Sequence, residues 1–365
     1  MIGVQAAFSP SYARARVAFL EGAAAAGLAI RSHVHPLKGR EGETLAMDLA
    51  LDGRPDAERL LIISSACHGA EGYCGSGVQV FALHDQEWRE HAHAAGVAVL
   101  YVHALNPHGF SFGRRVTHEN VDLNRNFLDF QQALPSNPAY ADIHSLLLPA
   151  TWPPDDANRA EVGALIQARG LPYFQAVVSQ GQYSHPDGLF FGGTEPTWSH
   201  ETWREVLRTQ AGKAARLGWI DVHTGLGETG VGERILACHD DAVALQRAQA
   251  WWGGDGRTPV TSIYDGSSTS AVLSGQMSNA VYQACPQAEY TGMALEFGTV
   301  PITEVLQALR ADHWLHLHPE ASDALRQQIQ RQMRDAFYID TDVWRAQVIA
   351  QARQAMFQAV LGLGA

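Results

Sequence analysis

The sequence is poor in lysine, in cysteine and in long apolar runs, and each shortage excludes a class of protein. Only two of the 26 basic residues are lysines, against 38 acidic residues, and the formal net charge of the 365-residue chain is −12. An acidic surface repels phosphate backbones, so we expect no nucleic-acid partner. A local cationic pocket would have to be built from arginine.

No apolar run approaches the roughly 20 residues that a membrane-spanning helix needs, so we predict no membrane segment. Residues 1–10 lack a basic stretch followed by an apolar one and do not resemble a secretory signal. The four cysteines form no C-x-x-C pair and are too few for a disulfide framework in a chain of this length. Together these absences predict a reduced, cytoplasmic protein, and they leave homo-oligomerisation open.

Short apolar segments alternate with longer helical stretches along the chain. Residues 59–66, 97–104, 219–222 and 293–297 are predicted as buried strands. Buried strands separated by helices predict an α/β fold, with a mixed, mostly parallel twisted sheet and helices on both faces. Ligands of such sheets bind just beyond the carboxyl ends of the strands.

Neither an internal repeat nor a long linker divides the chain, so we predict a single domain over residues 1–365. Residues from about 128 to 200 are predicted as an insertion that shapes or caps the binding pocket. A C-terminal segment from about 301 to 365 has apolar residues at helical spacing and is predicted as helices packed on the core. The insertion contains aromatic candidates for substrate specificity: Trp152, Tyr173, Tyr183, Phe190 and Phe191.

The first predicted strand runs into C-H-G-A-E-G at residues 67–72, which sets His68 and Glu71 three residues apart on a glycine-rich turn. Imidazole nitrogen and carboxylate oxygen are both zinc ligands, so the pair can converge on one ion. The spacing alone is weak evidence, because it also arises for a histidine at a strand end beside a solvated glutamate. Cys67 and Cys74 are rival thiolate ligands, which fit less well than the His–Glu pair.

The second predicted strand is followed by N-P-H-G at residues 106–109, by two arginines, and by D-L-N-R-N-F at residues 122–127. Adjacent Asn124 and Arg125 offer a fork of donors that suits a carboxylate. Asp122 and Asn124 would point the same way on an extended segment. A surface turn with solvated ion pairs would explain the charges but not the ordered run.

Two further strand ends carry one candidate each. His223 ends a short apolar strand in D-V-H-T-G, and Glu296 is embedded in the apolar string L-E-F-G. A carboxylate in such a string is costly to bury unless it is paired or catalytic. Because parallel strand ends meet at one rim of a sheet, we expect these residues to lie beside His68 and Glu71.

In this order the motifs resemble those of the zinc metallocarboxypeptidases of the carboxypeptidase A type. That superfamily also contains the aspartoacylase and succinylglutamate desuccinylase amidohydrolases. The strings HGAEGYCGSGVQ, GQYSHPDGLFFGG and DVHTGLG are similar to one bacterial branch, catalogued as domain of unknown function 2817. The resemblance covers roughly residues 55–300 and implies that the single domain is a zinc-carboxypeptidase-like catalytic domain.

The resemblance implies one zinc ion, bound by His68, Glu71 and His223. It implies that Glu296 is the general base, which takes a proton from water and delivers it to the leaving amine. It implies that Arg115 polarises the scissile carbonyl and stabilises the oxyanion.

Arg114 is a near-equal candidate for that arginine. The resemblance further implies that Asn124 and Arg125 bind a substrate carboxylate and that Asp122 orients His68. Tyr264, in I-Y-D-G-S at residues 263–267, resembles the position of a mobile phenol that bonds substrate or the leaving nitrogen. Tyr282 and Tyr290 are its rivals.

The predicted function is therefore a zinc-dependent hydrolase that cleaves an amide or peptide bond next to a free carboxylate, acting on a small peptide. The close alternative is an N-acyl-amino-acid deacylase on the same scaffold. A metal-binding protein without catalysis is a third hypothesis. A serine hydrolase is weaker, since Gly75-Ser76-Gly77 lacks the spacing of a nucleophile elbow.

Overall fold

The computed structural model describes residues 2–254 and 258–365. Eight strands in these residues form one sheet. They are β1 Ala29–Lys38, β2 Thr44–Asp52, β3 Arg59–Ser64, β4 Ala98–His103, β5 Arg216–Thr229, β6 Gly232–Leu236, β7 Val260–Thr261 and β8 Glu289–Gly298. Their order across the sheet is β1-β2-β4-β3-β5-β8-β6-β7.

The described residues also form fourteen α-helices. They are α1 Val4–Ala7, α2 Tyr12–Ala25, α3 Gly72–His84, α4 Gln86–Ala94, α5 Pro107–Phe112, α6 Pro138–Leu147, α7 Asp156–Arg169, α8 Leu171–Ser179, α9 Trp198–Val206, α10 Ala242–Trp252, α11 Asn279–Ala284, α12 Ile302–Leu317, α13 Asp323–Phe337 and α14 Asp342–Gly364. Two 3₁₀ turns, Gly69–Glu71 and Leu123–Arg125, lie beside the candidate site.

The centre of the sheet is parallel. β4 pairs with β3, β3 with β5, and β5 with β8, all in parallel, while β1, β2 and β6 add antiparallel pairs toward the edges. β4 is buried at every position and β3 at every position after Arg59, so both faces of these strands are covered. The predicted mixed, mostly parallel sheet with helices on both faces is confirmed.

The four predicted strands correspond to β3, β4, β5 and β8, although β5 and β8 extend well beyond the predicted residues. The outer strands were not predicted. β1 is exposed at most positions and contains Pro36, because it forms an edge of the sheet. An edge strand needs no apolar run, so its sequence carries little strand signal.

The predicted insertion contains α6, α7 and α8, and the C-terminal region is helical as predicted. An apolar cluster joins the insertion to α12 and α13, with Phe174 and Val178 packed near Val305, Leu309 and Phe337. That the whole chain is one domain stays a prediction, as do the cytoplasmic location and homo-oligomerisation.

The longest helix of the described residues, α14, has 23 residues. It buries Trp344, Val348, Ala352, Met356 and Val360, the stripe that the spacing predicts. Among the described residues, no helix combines the length and the apolar character that a membrane crossing requires.

Candidate metal centre

The turn that carries His68 and Glu71 begins where β3 ends. Hydrogen bonds from Leu105 N to Ser65 O and from Asn106 N to Ala66 O, both 2.9 Å, extend the pairing with the β4 segment beyond the strands. The chain then tightens into the 3₁₀ turn Gly69–Glu71. Both candidate ligands are thereby fixed at the carboxyl edge of the sheet, where α/β proteins bind their ligands.

The N-P-H-G motif builds the helix that presses on this turn. The Asn106 side chain accepts a hydrogen bond from Gly109 N at 2.8 Å and so caps α5, and Pro107 opens the helix. A Cβ atom on Gly69 would lie 1.9 Å from the carbonyl carbon of Gly109. Glycine at position 69 therefore allows a close approach of two backbones.

His223 and Glu296 come from neighbouring parallel strands. They are register partners on β5 and β8, so their side chains lie side by side on one face of the sheet. Asp221, two residues before His223, lies on the same face of β5. The sheet thus brings three widely separated sequence segments to one place.

The ligand candidates meet at the carboxylate of Glu71. His68 Nδ1 lies 2.8 Å from Glu71 Oε1, and His223 Nδ1 lies 3.0 Å from Glu71 Oε2. One ligand atom from each of the three residues lies within 4.8 Å of the others, and all three residues are buried. The structure therefore brings together the residues that the sequence singles out as ligands.

The far nitrogen of each imidazole bonds to a second carboxylate. His68 Nε2 lies 3.2 Å from Asp122 Oδ1, and His223 Nε2 lies 2.7 Å from Asp221 Oδ2. Ser64 Oγ donates to the other oxygen of Asp221 at 2.6 Å and accepts from Trp219 Nε1 at 2.7 Å. Each imidazole therefore lies between two carboxylates, with Nδ1 at Glu71 and Nε2 at an outer partner that can hold a proton on Nε2 when Nδ1 binds a metal ion.

The charges in this group stabilise one another. Burial opposes ionisation of Glu71, but His68 and His223 hold the pKa of its carboxyl below its usual range. Burial likewise opposes a charge on His223, yet Asp221 and Glu71 raise the pKa of its imidazole well above the ordinary value. The carboxylates of Glu71 and Asp221 therefore favour a positive charge at the position of the His223 imidazole.

Two groups in the described residues could hold a metal ion. His68, Glu71 and His223 offer two imidazole nitrogens and a carboxylate oxygen, which is a zinc donor set with room for a fourth ligand, and each imidazole already has its outer carboxylate. The second group shares His223 and adds Cys67 and Asp221. It fits less well, because burial raises the pKa of the Cys67 thiol and Asp221 is already bonded to His223 Nε2.

Glu296 lies next to the ligands with only 8% of its surface exposed. Its Oε1 accepts a hydrogen bond from Leu226 N at 2.9 Å. Burial, and next the negative charge of Glu71, raise the pKa of its carboxyl to about 8. This carboxyl can hold a proton near neutral pH, which suits a group that moves protons.

The two neighbouring arginines point to different places. Arg115 Nε donates to Asp122 Oδ2 at 2.9 Å, and its Nη1 donates to Glu71 Oε1 at 3.2 Å. Arg114 pairs instead with Asp312 of α12, at 3.0 Å, and does not line the cavity. The structure therefore brings Arg115 to the site and leaves Arg114 outside it.

The segment with Asn124 and Arg125 is not extended, contrary to the expectation. Asp122 accepts a hydrogen bond from Asn124 N at 3.0 Å and caps the 3₁₀ turn Leu123–Arg125. Both predicted carboxylate-binding residues still line the cavity. Arg125 donates to Ser179 O and to Asn124 O, and Asn124 Oδ1 accepts from Met277 N at 2.9 Å.

Tyr264 lies outside the wall of the cavity. Its hydroxyl donates to Cys238 O at 3.3 Å and accepts from Gln276 Nε2 at the same distance. The hydroxyls of Tyr282 and Tyr290 are also occupied, by His239 N and by Ala237 O. None of the three phenols is brought to His68, Glu71 and Glu296 in this structure.

The ligand candidates lie in a cavity of about 350 Å³. Of the aromatic specificity candidates in the insertion, Phe190 lines this cavity, and the other four do not. Sequence reasoning missed the residues through which α8 forms a wall, Leu171, Phe174, Gln175, Val178 and Ser179. The only sequence signal is the helical spacing of the apolar members, Leu171, Phe174 and Val178, which does not distinguish a cavity wall from core.

Comparison with known proteins gives a family for the chain. The model of the family described as "Protein of unknown function (DUF2817)" matches residues 8–351. No curated protein matches the chain.

Several solved structures are similar at low identity. The thrombin activatable fibrinolysis inhibitor is 11% identical, with a TM-score of 0.48, over 90% of this chain and 77% of its own. The carboxypeptidase A of Helicoverpa armigera is 12% identical, with a TM-score of 0.46, over 89% of this chain and 73% of its own. A succinylglutamate desuccinylase of Silicibacter sp. TM1040 is 13% identical, with a TM-score of 0.37, over 80% of this chain and 66% of its own.

Proposed function

The chain belongs to the DUF2817 family, and we propose that it is a zinc-dependent hydrolase of an amide or peptide bond next to a free carboxylate. The observation that carries this proposal is the meeting of His68 Nδ1 and His223 Nδ1 at the two oxygens of Glu71. A buried glutamate, Glu296, lies beside them. Ligands and a proton-transfer group within one cavity are what hydrolysis requires.

His68, Glu71 and His223 would hold one zinc ion. When bound, zinc supplies a Lewis acid and lowers the pKa of water to about 7. Asp122 and Asp221 would hold the protons of the two histidines on Nε2 and so leave both Nδ1 atoms to bind the ion.

Glu296 would act as the general base and then as the acid. Its Oε1 is engaged by Leu226 N, which leaves Oε2 to take a proton from water and pass it to the leaving nitrogen. A cation beside Glu71 would offset the negative charge that raises the pKa of Glu296. This offset would favour the carboxylate form, which is the form that can take a proton.

Arg115 would stabilise the negative charge that develops on the carbonyl oxygen. Its bonds to Asp122 and Glu71 fix the guanidinium at the edge of the ligand cluster. A donor that is held in place before reaction needs no reorganisation when charge develops. Arg114, which is bound to Asp312, would have a structural role.

Asn124 and Arg125 would bind the substrate carboxylate. The amide of Asn124 is oriented by the bond from Met277 N to its Oδ1, which leaves Nδ2 as a donor toward a ligand. Arg125 has five N–H groups, of which two remain after its bonds to backbone carbonyls. Both residues therefore retain donors for an anionic group.

The alternative is an N-acyl-amino-acid deacylase that uses the same residues. The size of the cavity favours it, since about 350 Å³ falls within the range of small-molecule sites, roughly 300–1,000 Å³. A metal-binding protein without catalysis would have no use for a buried carboxyl at Glu296, which is costly to maintain.

The test begins with the metal content of purified, untagged protein by elemental mass spectrometry, for the wild type and for His223→Ala. We expect about one zinc per chain in the wild type and much less in the variant, and loss of activity with a chelator. A panel of peptides and N-acyl amino acids then separates the two reactions. Absence of metal from both proteins, even after dialysis against zinc, would overturn the proposal. Failure to cleave any peptide longer than two residues would leave the deacylase.

A further inference from the structure

One part of the cavity is an apolar chamber. Its side chains come from the insertion, from α12, from the segment that carries Phe190 and from the end of α13. They are Val162, Ile166, Leu171, Phe174, Val178, Phe190, Ile302, Val305, Leu306, Leu309 and Phe337. The same cavity contains His68, Glu71 and Glu296, so the chamber opens onto the candidate metal centre.

Five of these eleven side chains are only partly covered by protein, and the other six are buried. Val162, Ile166, Ile302 and Leu306 have intermediate exposure and pack against the apolar cluster between the insertion and α12. Apolar side chains around an open cavity lose water when an apolar group enters. Each methylene group that such a chamber buries strengthens binding by about fourfold.

The charged side chains at the chamber are already engaged. Arg310 donates four hydrogen bonds, to Leu146 O, Leu147 O, Asn158 Oδ1 and Gln307 Oε1, and keeps one of its five N–H groups, whereas Arg125 keeps two. Arg159 bonds to Pro154 O and to Asp156 of its own helix. An acidic acyl group in the chamber would have to compete with these partners and to lose its hydration among apolar side chains.

We infer that the substrate carries a bulky apolar group, aliphatic or aromatic, on the amide that is cleaved, and that the chamber receives it. The inference rests on the proposed function and narrows its substrate class. It disfavours small and acidic acyl groups such as acetyl and succinyl. The walls that select the apolar group come from the insertion and from α12, outside the segments that carry the proposed ligands.

The apolar group can lie on either side of the scissile bond, and two pairs of substrates distinguish the sides. N-Octanoyl-glycine against N-acetyl-glycine tests the acyl side. N-Acetyl-phenylalanine against N-acetyl-glycine tests the amine side. For the zinc-loaded protein we expect kcat/KM to rise at least 100-fold in one pair, and N-succinyl-glycine to be no better than N-acetyl-glycine.

A variant that fills the chamber tests its role. Val162→Trp places a large side chain at the half-buried wall of α7. We expect the ratio of kcat/KM for the apolar substrate to kcat/KM for N-acetyl-glycine to fall at least tenfold. Val243→Trp is the matched control, since Val243 lies on α10, 59% exposed and away from the cavity, and we expect the wild-type ratio. Leu306→Gln, which keeps the size but adds an amide, should lower the ratio as well if Val162→Trp does not fold.

The outcomes separate this inference from the proposed function. Equal rates within both pairs, or faster hydrolysis of N-succinyl-glycine, would overturn the chamber as the specificity site while hydrolysis itself stands. A ratio that stays at the wild-type value in folded Val162→Trp and Leu306→Gln would also overturn the chamber as the specificity site. If zinc-loaded protein cleaves neither these amides nor peptides, the proposed function fails first.

Discussion

His223 and Asp221 form a bonded pair within one strand, with His223 Nε2 2.7 Å from Asp221 Oδ2. Their spacing of two residues on β5 sets both side chains on the same face. Because Asp221 accepts from Nε2, Nδ1 of His223, which lies 3.0 Å from Glu71 Oε2, is the nitrogen that a metal ion would bind. Asp221 therefore belongs to the candidate site, although sequence reasoning gave it no role.

Asp221→Asn should weaken zinc binding about 10–100-fold, since the amide keeps the shape of the side chain but loses the charge that orients and polarises His223. Competition with a fluorescent chelator measures the affinity. Asp240→Asn, at an exposed position, is the control and should bind zinc like the wild type. Equal affinity of Asp221→Asn and wild type would contradict the orienting role.

Glu296→Gln should lower kcat/KM by about 10²–10⁴-fold, because the amide cannot take a proton from water. About one zinc per chain should be retained. Steady-state kinetics and elemental analysis of the same preparation measure the two quantities. Glu304→Gln on α12, where the side chain is exposed, should change neither. Loss of zinc from Glu296→Gln would indicate a ligand rather than a base.

Substitution of the two adjacent arginines should affect different properties, catalysis for Arg115 and stability for Arg114. Arg115→Ala should lower kcat about 10²–10³-fold, as expected for the loss of an oxyanion donor. Arg114→Ala should instead lower the free energy of unfolding by roughly 3–5 kcal/mol, because it leaves Asp312 buried without its partner. Urea unfolding and steady-state kinetics on both variants test the assignment. The reverse pattern would make Arg114 the functional arginine.

The stability of the fold should fall in mild acid because of His103. Burial lowers the pKa of this imidazole to about 4, while in the unfolded chain it is about 6.5. The unfolded state therefore binds the proton first, so the stability is complete above pH 6.5 and declines as the pH falls toward 4. The contribution of this group is about 3 kcal/mol over that window.

His103→Gln should be less stable than the wild type at pH 7, since it disturbs the contact with Ser76 Oγ and the stacking on Phe19. Its free energy of unfolding should nonetheless decline less steeply between pH 6.5 and pH 4. Urea titrations at several pH values give the two slopes. Parallel curves for wild type and variant would show that His103 does not titrate in this window.

The sequence predicted the elements whose signal is local. The apolar runs of β3, β4, β5 and β8 mark strands that are buried on both faces, and the stripe from Trp344 to Val360 marks one face of α14. The candidate ligands followed from the motifs at strand ends, since parallel strands present their carboxyl ends at one rim. The outer strands β1, β2, β6 and β7 were not predicted, and at β1 the reason is that an exposed edge strand needs no continuous apolar run.

What the sequence by itself determined was the set of residue types able to bind metal and move protons, and the sheet that would gather them. Only the tertiary structure shows that Arg115 lies at the ligand cluster and that Arg114 bonds to Asp312 instead, because adjacent residues differ in direction and not in chemistry. It also decided that Asp221 is bonded to His223 and that Tyr264 lies outside the cavity wall. The apolar chamber is the clearest case: helical spacing makes Ile166, Phe174 and Leu306 equally suited to core or cavity, and only the packing of the insertion against α12 leaves them around open space.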